Sequence, residues 1–543
     1  MTVGSRSVIL LLVAVLAVLT LAGSTASALP DHGHGRPATQ VRLQVLAIGD
    51  FHGSLESSTV GGRPVGGAAV LASYLDQRAR DAKAAHERTL RLGAGDLIGA
   101  SPPVSALLDD RPTIAAADEM GIRYSCVGNH EFDDGLPALR RLVAGQPGAA
   151  GHRLSYLAAN VVSTRTGTCI FDPYVIVDEG GVKVAVIGAV LTGAPRVIMP
   201  QSIAGLTFLD ATSRVNLYVH RLQRRGVHAF IVLLHDGGTG TRTGGPVQGE
   251  IVDVVTAMDR DVDVVIGGHT HETLWGTVAG KLVAQAGAFG RVFADLDLTL
   301  DRRSGDVVSR SVELVDTYGD VAPGLTPDAA VAEIVAGAEA EVGPLVDRVV
   351  GTASGDITRT QTGAGESAMG DLVADAQRWR MGTQLALTNA GGLRADLEFP
   401  GGTGGPVTWG ALGAVQPFPN YLATMKITGQ QLHDVLEQQW AGQPVARMLQ
   451  ISGMRYSWNA SGAVGDRVDP ADVAVGGSPL ALGTTYTLTT NTFLSTGGDN
   501  FTVLSGAADK VMGPRDLDAL VDYVKQLPQP FSSVTDGRIS VTP

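Results

Sequence analysis

Between residues 41 and about 315, runs of apolar residues alternate with amphipathic stretches. Several runs are almost continuously apolar, which is typical of strands that are buried on both faces. They predict strands at 43–48, 90–92, 124–127, 182–190, 229–234 and 262–266. Helical spacing with a polar face predicts helices at 68–85 and 213–225. This alternation predicts an α/β layered domain.

The pattern is interrupted at 318–328, a polar segment that is rich in Gly and Pro. Thr326 and Pro327 then form a start signal for a helix from about Asp328 to Val342, which we interpret as a connector. A second α/β domain follows, with predicted helices at 367–380 and 429–440 and strands at 384–388 and 486–490. The predicted organisation is a signal peptide (1–28), a flexible leader (29–40), a first domain (41–315), a linker (316–348) and a second domain (349–543).

Metal-binding side chains follow five of the predicted strands. The candidate ligands are Asp50, His52, Asp96, Asn129, His235, His269 and His271. Loops at the carboxyl ends of strands build sites in open α/β sheets, so we expect these side chains to converge. Carboxylate, imidazole and carboxamide ligands suit Zn, Mn, Fe or Co and argue against an all-oxygen Ca²⁺ site. Seven ligands suffice for two divalent cations if Asp96 bridges them, and such a pair can activate water and stabilise a phosphoryl transition state.

His130 lies beside Asn129 but is kept out of the ligand set. Asp133 follows three residues later and is close enough in sequence to orient the imidazole. A His–Asp pair beside a metal centre can stabilise charge on a phosphoryl group or protonate a leaving oxygen. Taken alone, the pair has a structural reading as well.

Residues 1–28 predict a secretory signal, with Arg6, an apolar run from Val8 to Leu21 and a small-residue cleavage site at 26–28. The run is shorter than the ~18–20 residues of a membrane-spanning helix, so we expect cleavage and a secreted protein, extracellular or periplasmic, that has no membrane partner. Loss of Arg6 changes the formal charge from −13 to −14. A net acidic protein is a poor candidate for binding a nucleic acid polymer. Oligomeric state is open.

Cys126 and Cys169 are the two cysteines of the chain. In an oxidising compartment a disulfide between them is one alternative, and two buried free thiols are the other.

The second domain offers candidate nucleotide-binding groups. Asn389 and Arg394 flank a Gly-Gly pair after a predicted strand, as in an anion cradle. Phe418 and Phe493 lie on separate segments, with polar residues after each, and could enclose a planar base or could be ordinary core residues. The candidate substrate residues of these segments are Asn389, Arg394, Phe418, Asn420, Phe493 and Asp499.

The order Asp-x-His, Gly-Asp, Gly-Asn-His-Glu-Phe-Asp, His and Gly-His-x-His resembles the calcineurin-like metallophosphoesterases, and the longest motif resembles their 5′-nucleotidase branch. That branch includes UDP-sugar hydrolases and 2′,3′-cyclic-nucleotide phosphodiesterases. The resemblance covers nearly all of 41–530. It implies a four-layer α/β sandwich, with two mixed sheets flanked by helices, and a smaller α/β C-terminal nucleotidase domain joined by a helix.

The resemblance also implies roles for the residues. Asp50, His52, Asp96 and His271 would hold one metal. Asp96, Asn129, His235 and His269 would hold the other, with His130 and Asp133 as the catalytic dyad. Phe418 and Phe493 would stack on the base, Asp499 would bind the ribose, and Asn389 and Arg394 would reach phosphate or ribose.

The expected function is release of phosphate from nucleoside 5′-monophosphates by attack of a metal-bound hydroxide on phosphorus. Cyclic-nucleotide or nucleotide-sugar and NAD cleavage are the alternatives, and a catalytically decayed nucleotide-binding protein is a third. One departure bears on the substrate. Gly363 stands where some members have an Arg, and Arg359 is shifted by four positions.

Overall fold

The computed structural model of the chain describes residues 39–144 and 154–543. The predicted signal peptide and most of the predicted leader lie outside these residues. Among the described residues, no helix combines the length and the apolar character that crossing a membrane requires.

Two mixed six-stranded sheets form the centre of the N-terminal domain. The first contains, in order, Val307–Asp316, Val292–Asp301, Gln40–Ile48, Arg88–Gly93, Tyr124–Cys126 and Ser155–Leu157. The second contains Thr273–Val278, Lys281–Ala286, Val264–Gly267, Ala229–His235, Val182–Val190 and Tyr174–Glu179. Within each sheet, the strands that end near the candidate ligands are parallel to one another.

Continuous apolar runs arise because each central strand faces a core on both sides. In the strand Gln40–Ile48, Val45 and Ala47 pack between the two sheets, whereas Leu46 and Ile48 pack against helices. The outer face of the second sheet packs against helices in the same way. The N-terminal domain is therefore the four-layer sandwich that the resemblance implied. Its helices are Ala68–Ala84, Pro103–Ala106, Arg111–Glu119, Gly135–Val143, Ala211–Gln223 and Glu250–Ala257.

The connecting helix is Ala329–Val346, four residues longer at its end than the sequence pattern predicted. Asp328 caps its start by accepting a hydrogen bond from the Val331 N–H at 3.0 Å. Its buried face joins the core of the N-terminal domain, and it also contacts the helix Trp409–Val415. The helix thus packs against both domains.

The C-terminal domain is built on a five-stranded sheet. Its strands, in order, are Leu449–Ser452, Leu385–Asn389, Thr485–Asn491, Tyr421–Thr428 and Ala508–Arg515. The helices are Ala368–Met381, Trp409–Val415, Gly429–Glu437, Thr492–Ser495, Thr502–Ser505 and Asp516–Gln526. A second sheet of Ser478–Pro479, Val473–Val475, Met454–Asn459 and Ile539–Thr542 includes the end of the chain. The two-domain α/β prediction is confirmed, while the residue limits proposed for each domain stay predictions.

Both cysteines are free, so the disulfide alternative is wrong. Cys126 is buried between the two sheets of the N-terminal domain. Cys169 lies beside the hydroxyl of Tyr218, with 3.4 Å between sulfur and oxygen. The two thiols therefore lie in separate environments and do not contact each other.

Candidate dimetal active site

The seven predicted ligands all lie on loops after parallel strands or at a strand's last residue. Asp50 and His52 follow Gln40–Ile48, Asp96 follows Arg88–Gly93, Asn129 follows Tyr124–Cys126, His235 ends Ala229–His235, and His269 and His271 follow Val264–Gly267. The carboxyl ends of parallel neighbours lie side by side, so the two sheets deliver these side chains to one edge of the sandwich.

Asp50, His52 and His271 form the first cluster. The Nε2 atoms of His52 and His271 are 3.0 Å apart. His52 donates its Nδ1–H to the Gly99 carbonyl at 2.9 Å, which leaves the Nε2 lone pair directed into the cluster. Burial, with the Arg394 guanidinium adding to it, lowers the pKa of His271 to about 3. Both imidazoles are thus neutral, the form that binds metals.

Asp96, His235 and His269 form the second cluster, and Asn129 adds a carboxamide oxygen. Asn129 Oδ1 is 3.2 Å from His235 Nε2 and 2.9 Å from His269 Nδ1. His235 donates Nδ1–H to the Ala94 carbonyl at 2.8 Å. Burial by itself lowers the pKa of His235, but the Asp96 carboxylate raises it to about 10. The Asp96 carboxylate thus favours positive charge beside His235 Nε2, which lies 3.1 Å from Asp96 Oδ2.

Asp96 faces both clusters. Its Oδ2 is 3.1 Å from His235 Nε2 and 3.9 Å from His52 Nε2. Its Oδ1 accepts a hydrogen bond from the His130 backbone N–H at 2.8 Å. This position is the one that a carboxylate bridging two cations requires.

The ligand backbone is strained, and glycine makes room for it. Asp50, His52, Asp96, His269 and His271 all adopt positive φ values, between 48° and 74°. Such values are uncommon for residues other than Gly and concentrate at functional sites. A Cβ on Gly128 would collide with the Asp96 carboxylate, and one on Gly95 would lie 2.6 Å from His235 Nδ1. The loops therefore require glycine at these two positions.

These donors fit a pair of divalent cations. Asp50 Oδ2 is buried and has no hydrogen-bond partner. Burial raises the pKa of Asp50 to about 7, although His235, the His269 N–H and Arg394 act in the opposite direction. Imidazole nitrogens of His52 and His271 that face each other at hydrogen-bond distance, next to this unpaired carboxylate oxygen, are a donor set for cations.

Glu131 holds the ligand loops together, a role that the sequence analysis did not assign. Its carboxylate is buried and accepts the backbone N–H groups of Asp96, Leu97 and Gly128. The Tyr156 hydroxyl donates to it as well, at 3.0 Å. A signal was present, because Glu131 is the one charged residue of the segment 129–133 that received no role.

His130 and Asp133 form the predicted pair. His130 Nδ1 is 2.9 Å from Asp133 Oδ2. Burial alone lowers the pKa of His130, but the carboxylates of Asp133 and Asp96 outweigh it and raise the pKa above its usual value. The imidazole is therefore oriented by Asp133 and retains a proton more readily than a free histidine does.

Two predicted substrate residues of the C-terminal domain reach this centre. Arg394 Nη2 lies 3.3 Å from His52 Nε2. The Phe418 ring stacks on the His130 ring, with centroids 5.5 Å apart and planes at 26°. The Arg394 guanidinium carbon is also 5.9 Å from the Phe418 ring centroid. The C-terminal domain thus contacts the N-terminal domain directly at the ligand clusters.

Deeper in the C-terminal domain, the predicted residues bind one another. Asn389 Nδ2 donates to Asp499 Oδ2 at 2.9 Å, and Asn491 Nδ2 donates to Asn389 Oδ1 at 3.0 Å. Arg447 pairs with the other oxygen of Asp499. The sequence analysis missed Arg447 and Asn491, since no local motif marks either residue.

The remaining predicted substrate residues are buried or already bound to other protein groups, apart from Phe493, which is half-buried. Asn420 is buried and accepts a hydrogen bond from the Thr492 hydroxyl at 3.1 Å. Phe493 is half-buried, and no contact joins its ring to that of Phe418 in the described part of the chain. Arg359 pairs with Asp396 through Nε at 3.0 Å and Nη2 at 3.2 Å, which occupies its guanidinium. Gly363 is exposed, and a side chain at this position would extend into open space.

The sequence matches two families in succession. Residues 43–273 match the calcineurin-like phosphoesterases, and residues 349–506 match the 5′-nucleotidase C-terminal domain. A solved structure, a 5′-nucleotidase precursor from Thermus thermophilus, is 30% identical, with a TM-score of 0.78 over 92% of this chain and 99% of that chain. The chain belongs to the calcineurin-like phosphoesterases that carry a 5′-nucleotidase C-terminal domain.

Two curated relatives differ in name and length. A cell wall protein of Listeria monocytogenes is 32% identical, over 93% of this chain and 68% of its own length. An endonuclease of Bacillus subtilis is 33% identical over 93% of this chain, which spans 41% of that protein's length.

Calcineurin-like phosphoesterases use two divalent metals, and the two clusters supply the candidate ligands here. The chain therefore has the catalytic fold of a metal-dependent phosphoester hydrolase.

Proposed function

We propose that the chain is an exported two-metal phosphohydrolase that releases phosphate from nucleoside 5′-monophosphates. The observation that carries the proposal is the contact between the domains at the ligand clusters, where Arg394 and Phe418 lie against His52 and His130. A guanidinium at one end and an aromatic ring at the other match a small anion joined to a planar base.

In this proposal, Asp50, His52, Asp96 and His271 hold one cation, and Asp96, Asn129, His235 and His269 hold the other. The pair would neutralise phosphoryl charge and make a water more acidic. Arg394 would bind a phosphoryl oxygen through its planar donor fork. Asp133 would keep the His130 Nδ1–H in place, so that Nε2 can carry a proton to the leaving 5′ oxygen.

Nucleotide recognition would use the remaining predicted residues. Phe418 and Phe493 would hold the base, and Asp499 would accept hydrogen bonds from ribose hydroxyls. Asn389 and Arg447 already occupy the Asp499 carboxylate, so a ribose would have to share or displace these contacts. Asn420 would hold the Phe418 segment in position through its hydrogen bond with Thr492. Arg359 would contribute to phosphate binding only after release from Asp396.

A panel of substrates tests the proposal. Purified protein with Mn²⁺ is assayed on AMP, 2′,3′-cyclic AMP, UDP-glucose and NAD, with and without excess chelator. We expect the highest kcat/KM on AMP and loss of turnover in chelator. Phosphate release that persists in chelator would contradict the metal mechanism. Tight AMP binding without turnover in every metal would instead indicate a nucleotide-binding protein that has lost catalysis.

Phosphodiester or pyrophosphate cleavage is the second candidate. It is supported by the similarity to a Bacillus subtilis protein that is named an endonuclease. Higher kcat/KM on 2′,3′-cyclic AMP, UDP-glucose or NAD than on AMP would favour it.

Export rests on the apolar stretch 8–21 and on relatives named as a cell wall protein and as a precursor. N-terminal sequencing of protein collected from the culture medium or periplasm tests it. We expect the mature chain to begin at Leu29, and protein found only in the cytoplasm would contradict export.

A further inference from the structure

Three acidic side chains of the C-terminal domain converge away from the predicted substrate residues. Glu366, Asp371 and Asp536, here called the acidic cluster, each offer one oxygen, and these oxygens lie within 4.8 Å of one another. Glu366 precedes the helix Ala368–Met381, Asp371 lies in its first turn, and Asp536 lies shortly before the last strand of the chain. None of the three residues has a role in the proposed catalysis.

Asp371 is the unusual member of the acidic cluster. Its side chain is 2% exposed, and neither carboxylate oxygen has a hydrogen-bond partner. Buried carboxylates are normally paired or bound to a metal, because an uncompensated charge is costly away from water. The environment of Asp371 therefore points to a missing positive partner.

Arg538 is the nearest cation, but its donors are directed elsewhere. Its two terminal nitrogens bind both oxygens of Asp375, each at 2.8 Å, and one also reaches the Ile451 carbonyl at 3.0 Å. Its Nε donates to Asp536 at 3.2 Å and is 3.6 Å from Asp371. Arg538 thus leaves Asp371 without a hydrogen bond.

The local charge is also unbalanced. Four carboxylates, those of the acidic cluster and Asp375, surround the single guanidinium of Arg538. Arg455 adds one exposed contact to Asp536 at 3.3 Å. Even with both arginines counted, carboxyl groups outnumber guanidinium groups by two, and burial together with the Glu366 carboxylate raises the pKa of Asp371 to about 8.

We propose that the acidic cluster binds one divalent cation, and that Ca²⁺ fits it best. All three ligands are carboxylates, the hard oxygen donors that Ca²⁺ prefers, whereas the dimetal centre mixes nitrogen and oxygen. Asp536 is exposed, so the ion can enter from solvent. Glu366 Oε2 accepts one backbone N–H, from Ile539, and retains a second lone pair for the ion, whereas Oε1 already accepts two.

Such an ion would fasten the end of the chain to the helix Ala368–Met381. Glu366 already accepts the backbone N–H groups of Asp536 and Gly537, at 2.8 and 3.0 Å, and that of Ile539 at 3.0 Å. The segment continues into the strand Ile539–Thr542, which pairs with Met454–Asn459. A ligand that binds only the folded state stabilises it, so Ca²⁺ should raise the melting temperature.

The test compares the full chain with Asp371→Asn, both saturated with Mn²⁺ so that the dimetal centre is filled. Equilibrium dialysis with Ca²⁺ is expected to give one more bound Ca²⁺ per chain for the original protein than for D371N. Millimolar Ca²⁺ is expected to raise the melting temperature of the original protein by several degrees and to leave that of D371N unchanged. Mg²⁺ should act more weakly, because it demands stricter geometry.

Asp516→Asn is the matched control, since Asp516 is another buried aspartate of this domain outside the acidic cluster. D516N should bind Ca²⁺ as the original protein does, and phosphatase turnover should be retained in both variants. Should D371N not fold, Asp536→Asn on the exposed ligand should weaken Ca²⁺ binding about tenfold. Equal Ca²⁺ binding by the original protein and the ligand variant, or no Ca²⁺ effect on melting, would overturn the proposal.

Discussion

The two ligand clusters and the proposed nucleotide pocket, formed by Asn389, Asp499 and Arg447, are built on opposite plans. At the clusters, polar atoms of the N-terminal domain point at a common space and leave Asp50 Oδ2 without a partner. In the proposed pocket, Asn389 and Arg447 bind the two carboxylate oxygens of Asp499, although Arg447 Nε has no partner. The first site is arranged for ions, whose binding repays the cost of burying the donors. The second is stable by itself, so a ligand must compete with internal hydrogen bonds.

This difference suggests that chemistry and recognition respond differently to substitution. Removing a donor from the clusters should abolish a cation site and the reaction together. Removing a pocket residue should weaken binding of one part of the substrate and leave turnover at saturation largely intact. The predictions below test this separation.

The largest effect is expected for Asp96→Asn. Asp96 faces both clusters, and an uncharged carboxamide cannot replace a bridging carboxylate. We expect kcat to fall by roughly 10⁴-fold, with loss of at least one bound metal measured by atomic absorption. Asp295→Asn, a buried aspartate of the same sheet that faces away from the ligands, is the matched control. Retained activity in D96N with full metal content would refute the bridging role.

His130→Asn should have the next largest effect. The variant loses the group that we propose to protonate the leaving oxygen, so we expect a fall of about 10³-fold in kcat with metal content unchanged. Asp133→Asn keeps the imidazole and should cost less, because Asp133 only orients it. If H130N turned over a substrate with a good leaving group as slowly as AMP, a role as proton donor would be wrong.

The convergence of the candidate ligands was predictable from sequence because each follows an apolar strand. The order of strand and polar residue determines which side chains share an edge of a sheet. The six strands predicted in the first domain are all present within a few residues, so the candidates from Asp50 to His271 could be expected to lie together. The same reasoning placed the helix Ala68–Ala84 within one residue.

Contacts between segments that are distant in sequence cannot be predicted from a local pattern of apolar and polar residues. Arg394 reaches His52 across 342 positions, and Arg447 meets Asp499 across 52. Neither distance follows from local periodicity, because it depends on how two domains and their loops pack. Arg359 lies four positions from the residue where some family members have an Arg. This short distance in sequence did not reveal that Arg359 pairs with Asp396.

Glu131→Gln tests whether the support of the clusters can be separated from their chemistry. A Gln side chain would direct an N–H₂ group at backbone donors that now bind a carboxylate. We expect a loss of about 10–100-fold in metal affinity, typical of residues behind the ligands. Measured at saturating Mn²⁺, kcat should recover most of its value. A kcat that stays low in excess Mn²⁺ would show that Glu131 does more than position the loops.

Phe418→Ala tests the recognition side. Loss of a base stack costs about 1–3 kcal/mol, so KM for AMP should rise by roughly 5–100-fold while kcat changes little. Ribose 5-phosphate, which lacks a base, is the control substrate, and its KM should not change. An equal rise for both substrates would mean that Phe418 acts through His130, on which its ring stacks, and not through the base.

The smallest effect is expected for Asp516, a buried carboxyl that belongs to none of the candidate metal-ligand groups found among the described residues. Burial raises its pKa to about 8, although the Leu517 backbone N–H donates to it at 2.8 Å. Because the folded state holds this proton more tightly than the unfolded state does, the stabilising contribution is full below the unfolded pKa and is lost as pH rises through 8. Asp516→Asn removes the titration and keeps an acceptor for Leu517. We expect the free energy of unfolding of the original protein to fall more steeply than that of D516N between pH 5 and pH 8.5, by an amount on the order of a few kcal/mol at most, and its melting temperature to fall accordingly. Parallel melting curves would show that Asp516 is compensated, as the carboxylates of the metal clusters become when their cations bind.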